Sequence, residues 1–433
     1  MTIAQPNTQA KTATEWLAYI EALHPKVIAM GLDRVKKVLE KLQLNPSFPI
    51  ITVAGTNGKG SVCAMLSQIY VQAGYRIGTY TSPHIHRYNE RVSVNLQHIS
   101  DEDLCAAFVA VEAARGDIAL TYFEMGTLAA MWHFCRQKLD VVILEIGLGG
   151  RLDAVNAFEP TCSIVTTIDL DHKEFLGDTR ELIGLEKAGV FRANKLAICG
   201  DENPPNSLVE YAKEIGANLQ LIQRDFKVKK TAEGWQYSAG NTKLALPLPG
   251  LIGDFQLNNA ACVVHAVLHL NNILPIAARE LKDDALQANI HAALRAVHLI
   301  GRFQYIQANP QIIADVAHNP HAATSLAKNL ESSACIGKTL AVFGMLADKD
   351  IAGVIDAIQA EIDIWYLADI HTVRGAKAQE LQHNLLKANN EKPVKLFTNV
   401  AAALAAACIE ANKNDRIIVF GSFYTVADVV ATI

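Results

Sequence analysis

The sequence predicts an α/β protein of two domains: an N-terminal domain built on a mainly parallel sheet with a phosphate-binding loop (residues 1–298) and a C-terminal doubly wound domain (residues 299–433). Three observations carry this. The apolar run Pro49-Ile50-Ile51-Thr52-Val53 feeds straight into Ala54-Gly55-Thr56-Asn57-Gly58-Lys59-Gly60-Ser61, after which helical spacing resumes. Asp140–Glu145 is a continuous apolar run ending in a carboxylate, as a central parallel strand would be. From Ile312 onward, apolar runs alternate regularly with helical stretches.

A strand that ends in glycines and reopens as a helix aims several backbone N–H groups at one spot, and the helix end adds partial positive charge. Such a loop holds anions. Lys59 supplies a mobile ammonium for outer phosphates and Ser61 a hydroxyl for a divalent cation, so Asn57, Gly58, Lys59, Gly60 and Ser61 are the candidate phosphate contacts. The form Gly55-x-x-Gly58-Lys59-Gly60-Ser61 has two residues between its glycines where GxxxxGK[ST] has four, and one extra before the hydroxyl.

The remaining elements follow in order. Helical spacing covers Thr14–Leu23 and Asp33–Leu42, then Ser61–Ala73 after the loop. A strand from Arg76 runs into the Thr81-Ser82-Pro83-His84 turn, Arg91–Val94 is extended, and Ser100-Asp101-Glu102-Asp103 caps a helix reaching Arg115. A helix covers Phe123–Lys138, and beyond Glu145 come the Gly-rich loop Ile146–Asp153, a strand Ser163–Ile168, then Asp169-Leu170-Asp171-His172. Glu181–Val190, holding Lys187, is helical; residues 226–249 form an antiparallel meander around Trp235 and Tyr237; Gly253–Ala260 opens another helix. The pattern restarts near His298–Arg302, with strands at Ile312–Ala317, Thr339–Met345, Ile364–Ala368, Val394–Phe397 and Arg416–Phe420.

Glu145 and His172 are read as ending apolar strands that face the phosphate loop, where a carboxylate and a neutral imidazole complete the shell of Mg²⁺ or Mn²⁺. Arg302 follows the hinge, and Asp315 and His318 fall at the matching edge of the second sheet, which places a ligand between the domains. Asn412-Lys413-Asn414-Asp415 matches a guanine-reading NKxD but precedes its strand and lies in the other domain, so it is not expected to read a base.

Half of the 433 residues are apolar, 19% are charged, and the net charge is −5, with no basic block. That balance gives no electrostatic reason to bind nucleic acid or anionic membrane. Eight cysteines are scattered without CxxC spacing, as buried thiols in a reducing compartment are. Met1–Thr14 is polar and lacks a signal or transit pattern, and no apolar run approaches the ~18 residues of a membrane span. A cytoplasmic enzyme is expected.

Gly55–Ser61, Thr81-Ser82-Pro83-His84, Thr121-Tyr122-Phe123-Glu124, Glu145–Asp153, Asp171-His172, Glu186-Lys187-Ala188-Gly189, Gly301-Arg302-Phe303, Asp315–Pro320 and Gly421-Ser422-Phe423 together resemble the bifunctional dihydrofolate synthase/folylpolyglutamate synthases of the Mur ligase superfamily. The resemblance implies a Mur-ligase-like P-loop domain followed by a Rossmann-like ligase domain, and an ATP-dependent amide ligation. L-glutamate would be joined to dihydropteroate, and to the glutamate tail of folates, through an acyl phosphate. It implies ATP and Mg²⁺, with two ions, as cofactors. Residue roles carry over as follows: Asn57–Ser61 on the phosphates; Ser61, Ser82, Glu145 and His172 on magnesium; Asn259, Arg302 and Asp315 on the nucleotide. Thr121, Tyr122, Phe123, Glu124, Leu152, Asp153 and Ala154 would line the pterin pocket, with Ile28, Ala29 and Met30 from the loop near Val27–Leu32. His318 and Ser422 would serve the incoming glutamate, and Lys187 matches a lysine carbamylated in the family. Lys59, Lys187 and His318 are thus the catalytic candidates. The family's Leu-Pro-Gly-Arg is here Leu299-Ile300-Gly301-Arg302. A monomer is expected; a folylpolyglutamate synthase alone, or another Mur-type amide ligase, are the alternative activities. A peptidoglycan ligase would need about 100 residues before the loop, twice what is present.

Overall fold

The computed structural model describes residues 11–26, 28–271, 273–274 and 283–430, so Val27 of the expected pterin loop lies outside the described residues. Two helices, α1 (Ala13–Leu23) and α2 (Asp33–Leu42), precede β1 (Ile50–Ala54) and α3 (Lys59–Gln72). There follow β2 (Ile77–Tyr80), β3 (Val92–Val94), β4 (Gln97–His98), α4 (Asp101–Arg115), α5 (Tyr122–Phe134), β5 (Val141–Glu145) and β6 (Cys162–Val165). Then come α6 (Lys173–Leu176), α7 (Arg180–Ala188), β7 (Leu196–Cys199), α8 (Asn206–Glu214), β8 (Asn218–Leu221), the meander β9 (Lys227–Thr231), β10 (Gly234–Ala239) and β11 (Thr242–Leu246), and helices α9 (Phe255–Leu270) and α10 (Asp283–Ala296).

Among the described residues the strands form an eight-stranded sheet in the order β4-β3-β2-β5-β1-β6-β7-β8, parallel except at the β2-β3-β4 edge. β1 lies in its interior, with Ile51 opposite Ile143 on one side and Cys162 on the other. Its residues are all buried, which is why the run is apolar without alternation. α1, α2, α4, α5, α7 and α8 cover one face. α3, α9, α10 and the meander cover the other. In α3, Val62, Met65, Leu66 and Ile69 are fully buried. Each contributes about 1.5–3 kcal/mol.

The second sheet is built from β12 (Gln304–Ala308), β13 (Gln311–Asp315), α11 (Pro320–Ser332), β14 (Thr339–Phe343), α12 (Ile351–Ile358), β15 (Ile364–Ala368), α13 (Ala378–Lys387), β16 (Val394–Phe397), α14 (Val400–Glu410), β17 (Arg416–Phe420) and α15 (Phe423–Val430). Its order is β12-β13-β17-β14-β15-β16, with helices on both faces. One strand was not foreseen: β12 pairs antiparallel to β13 at the edge. Gln304–Ala308 interleaves two glutamines with Tyr305, Ile306 and Ala308 and buries none of its residues, so it gave no buried-strand signal.

Some expected bounds change. The strand read as Ser163–Ile168 ends at Val165, and His172 lies seven residues beyond it, at φ 50°, as the residue before α6. His172 therefore sits on a loop and not at a strand end. Asn412–Asp415 is a structural turn: Asp415 accepts the N–H groups of Asn412 and Lys338.

Candidate active site

The carboxyl ends of both sheets border one cavity of about 700 Å³. Every candidate named from the sequence lines it: the loop Asn57–Ser61; Ser82, Glu145 and His172; Ile28–Met30, Thr121–Glu124 and Leu152–Ala154; Lys187, Asn259, Arg302, Asp315, His318 and Ser422.

The phosphate loop is fixed by its neighbours. Thr56 N–H donates to the Thr167 carbonyl at 2.7 Å, and the Thr166 hydroxyl donates to the Asn57 carbonyl at 2.6 Å. Gly58 caps α3 at φ 88°, and a Cβ there would come within 2.7 Å of the Asn259 side chain, so only glycine fits. The first amides of α3 therefore open toward the cavity. Lys59 Nζ donates to the carbonyls of Gly55 (3.0 Å) and Thr56 (3.1 Å). The Ser61 hydroxyl is buried and accepts from Gln256 on α9 at 3.2 Å.

Glu145, the last residue of β5, accepts the Ser82 N–H at 2.9 Å. Burial raises its carboxyl pKa in spite of nearby Lys59. Among the described residues no three His, Cys, Asp or Glu side chains form a metal cage. The expected set would offer a different chemistry, one carboxylate, one imidazole and two hydroxyls with phosphate oxygens for the rest; Ser82 and Glu145 lie together, while His172 Nε2 sits 3.2 Å from Lys349 Nζ. A divalent cation there would offset the burial that disfavours ionised Glu145.

The domains meet at Asp171. Its carboxylate pairs with Lys349 Nζ at 2.7 Å, accepts from Asn319 Nδ2 at 3.2 Å and lies 3.7 Å from His318 Nε2. Burial alone would raise the Asp171 pKa, but His318, Lys349 and His172 hold it far below the carboxylate range. His172, partly buried and close to Lys349 and Lys59, drops to about 4 and is neutral at pH 7. Asn57 and Asn319 exchange side-chain hydrogen bonds of 3.2 and 3.1 Å across the same junction. His318 Nδ1 donates to the Val316 carbonyl, which leaves Nε2 turned toward Asp171.

Several candidates also hold the backbone. Asp315 accepts the N–H groups of Phe303 and Ala317; the Ser422 hydroxyl accepts the Thr425 N–H; Thr121 and Glu124 form a capping box on α5. Asp153 accepts from Leu148 and Val155 N–H, and burial raises its pKa to about 7. A carboxylate has about four lone-pair sites and the Gly147 N–H takes a third, so one remains for a ligand. Because the folded pKa lies above the ordinary 3.8, the native state binds the proton more tightly, and stability is lost as pH rises from 3.8 to about 7. Asp153→Asn should flatten that part of the stability–pH curve, measured by denaturant midpoints between pH 4 and 8; an unchanged slope would remove Asp153 as its source.

Lys187 does not behave as the solvated helix lysine its sequence context would allow. It is 3% exposed, and burial together with Lys59 lowers its pKa to about 7.

Profiles of the Mur ligase middle domain and of the Mur ligase glutamate ligase domain match residues 53–267 and 301–423. The dihydrofolate synthase/folylpolyglutamate synthase of Escherichia coli K12 is 43% identical over 435 residues, spanning 100% of this chain and 98% of that protein. The chain belongs to this family. The Haemophilus influenzae member is 40% identical over 450 residues, with 99% of each chain covered. A solved structure of E. coli FolC in complex with DHPP and ADP matches at TM-score 0.90 and 43% identity, over 98% of both chains. A bifunctional folylpolyglutamate synthase/dihydrofolate synthase with Mn, AMPPNP and L-glutamate bound matches at TM-score 0.88 and 44% identity, again over 98% of both.

Lys349 and Arg91 are among the cavity residues of this family member that escaped sequence reasoning. Lys349, in Asp348-Lys349-Asp350, lies six residues beyond the end of β14, whereas Asp315 is the last residue of β13, so the strand-end rule that found Asp315 does not reach it. Arg91, 9% exposed, donates from Nε to His84 and packs against the Tyr88 and Tyr122 rings. Its neighbour β3 is three residues long, too short to mark an edge.

Among the described residues no helix is long and apolar enough to cross a membrane.

Proposed function

We propose that this cleft joins L-glutamate to dihydropteroate, and to the glutamate tail of folates, in two steps. The acceptor carboxylate attacks the γ-phosphoryl group of ATP, giving an acyl phosphate and ADP; the glutamate amine then attacks the acyl carbon and expels phosphate. The observation that carries the reading is that residues scattered from Ile28 to Ser422 line a single cavity between two sheets.

The amides at the start of α3 and Lys59 hold the phosphates, while Asn259, Arg302 and Asp315 orient the nucleotide. Ser61, Ser82, Glu145 and His172 would hold Mg²⁺, two ions in all, which neutralises charge on the transferred group. His318, Ser422 and Lys349 receive glutamate, with the buried Lys349 ammonium suited to a carboxylate. Phe123 presents an apolar ring to the pterin, and Asp153 accepts from its amino-pyrimidine edge.

Release of ADP with MgATP and glutamate, in the presence of dihydropteroate, tetrahydrofolate or neither, tests the activity. Stimulation by both acceptors is expected, and none by either would overturn the proposal. The pocket makes a further prediction: Asp153→Ala should impair the dihydropteroate reaction more than tail extension, by roughly tenfold or more in kcat/KM, the worth of one buried hydrogen bond to a charged group. Equal losses would argue for one shared mode of binding.

A further inference from the structure

Ile28–Gly31, part of the cavity wall, lies between α1 and α2, and two hydrogen bonds tie it down. Gly31 N–H donates to the Leu152 carbonyl at 3.1 Å, and the Ala29 carbonyl accepts from Arg34 Nη2 at 2.5 Å. Arg34, the second residue of α2, does not itself line the cavity. The same guanidinium grips Glu124 on α5, from Nε at 3.0 Å and from Nη2 at 2.8 Å. The Glu124 side chain is 4% exposed and accepts the Thr121 N–H at 2.7 Å, closing the helical turn that presents Tyr122 and Phe123 to the cavity.

One planar group therefore bonds two separate parts of the pocket wall. We infer that Arg34 is a positioning residue that fixes the spacing between Ala29-Met30 and Tyr122-Phe123, and through it the affinity for the pterin-bearing substrate. The inference rests on the pocket reading given above. Only a guanidinium offers donors at fixed angles that reach a carboxylate and a carbonyl together; a lysine ammonium can satisfy one of them in one geometry. The turn of α5 is capped by Thr121 without Arg34, so the link adds register between the walls more than helix stability.

The test compares Arg34→Ala, Arg34→Lys and Phe123→Ala in the full-length enzyme, reading KM for dihydropteroate, KM for ATP, kcat and melting temperature. Arg34→Ala should raise KM for dihydropteroate on the order of 10- to 100-fold, as small misplacements of a binding wall do. KM for ATP should hold, kcat at saturation should stay within about twofold, and Arg34→Lys should recover part of the loss. If Arg34→Ala fails to fold, Arg34→Lys alone carries the test. Equal rises in both KM values, or a lower melting temperature with no rise in KM, would leave Arg34 a structural ion pair and overturn the inference. If Phe123→Ala raises KM for dihydropteroate and the Arg34 variants do not, the positioning role alone fails; if neither does, the pocket reading falls with it.

Discussion

Lys59→Ala should lose ligation by 10²–10³-fold or more in kcat, the scale seen when one preorganised charge or donor is removed from a developing anionic transition state. Its cost to folding should be small. Lys59 is half-buried, and among the described residues its hydrogen bonds go to the two loop carbonyls of Gly55 and Thr56. Hydrogen bonds of this kind contribute about 1 kcal/mol each. The loop itself is held by Thr166 and Thr167, which the substitution leaves in place. Steady-state ADP release and a thermal melt separate the two effects: near-normal turnover would remove Lys59 from the phosphate site.

Lys187→Ala should be nearly inactive for a different reason. A lysine with a pKa of about 7 is in large part a neutral amine at physiological pH. That form can attack CO₂, forming an N–C bond and releasing one proton, which would put a carbamate anion where an ammonium stood. The change of sign would suit a position near Lys59 in the cavity that Glu145 and His172 also line, since an ammonium would repel a divalent ion and a carbamate would attract it. Short carboxylic acids such as acetate should partly rescue Lys187→Ala, because they can stand in for the missing anion, and should not rescue Lys59→Ala. With ¹³C-labelled CO₂, wild-type enzyme should give a carbamate carbon resonance that Lys187→Ala lacks. Full activity in CO₂-free buffer with no such resonance would falsify the modification.

The parts of the site legible in the sequence share a physical cause. A parallel strand buried on both faces must be apolar throughout, so a charged residue at its carboxyl end stands out; Glu145 and Asp315 were visible for that reason. The phosphate loop was visible because its glycines sit between such a strand and a helix. What stayed hidden depends on packing between elements distant in the chain. α7 carries Glu181, Glu186 and Arg180 beside Lys187, so its composition reads as a solvated surface, and only the approach of the Gly150 turn to its end reveals a buried amine. His172 was mislocated because the chain leaves β6 three residues earlier than its apolar run suggests and turns through a left-handed conformation. Arg34 carries no signal at all, being one charged residue on an amphipathic helix whose other charges face water.

The cavity gathers Lys59, Arg91, Arg302 and Lys349 beside the carboxylates of Glu145, Asp171 and Asp315, inside a chain whose net charge is −5. At a distance the molecule repels a nucleotide triphosphate, and the attraction is confined to the mouth of the cleft, since the screening length at physiological ionic strength is about 8 Å. Capture of the anionic substrates is then governed by a short-range field over a small solid angle. Broad steering across the surface then contributes little.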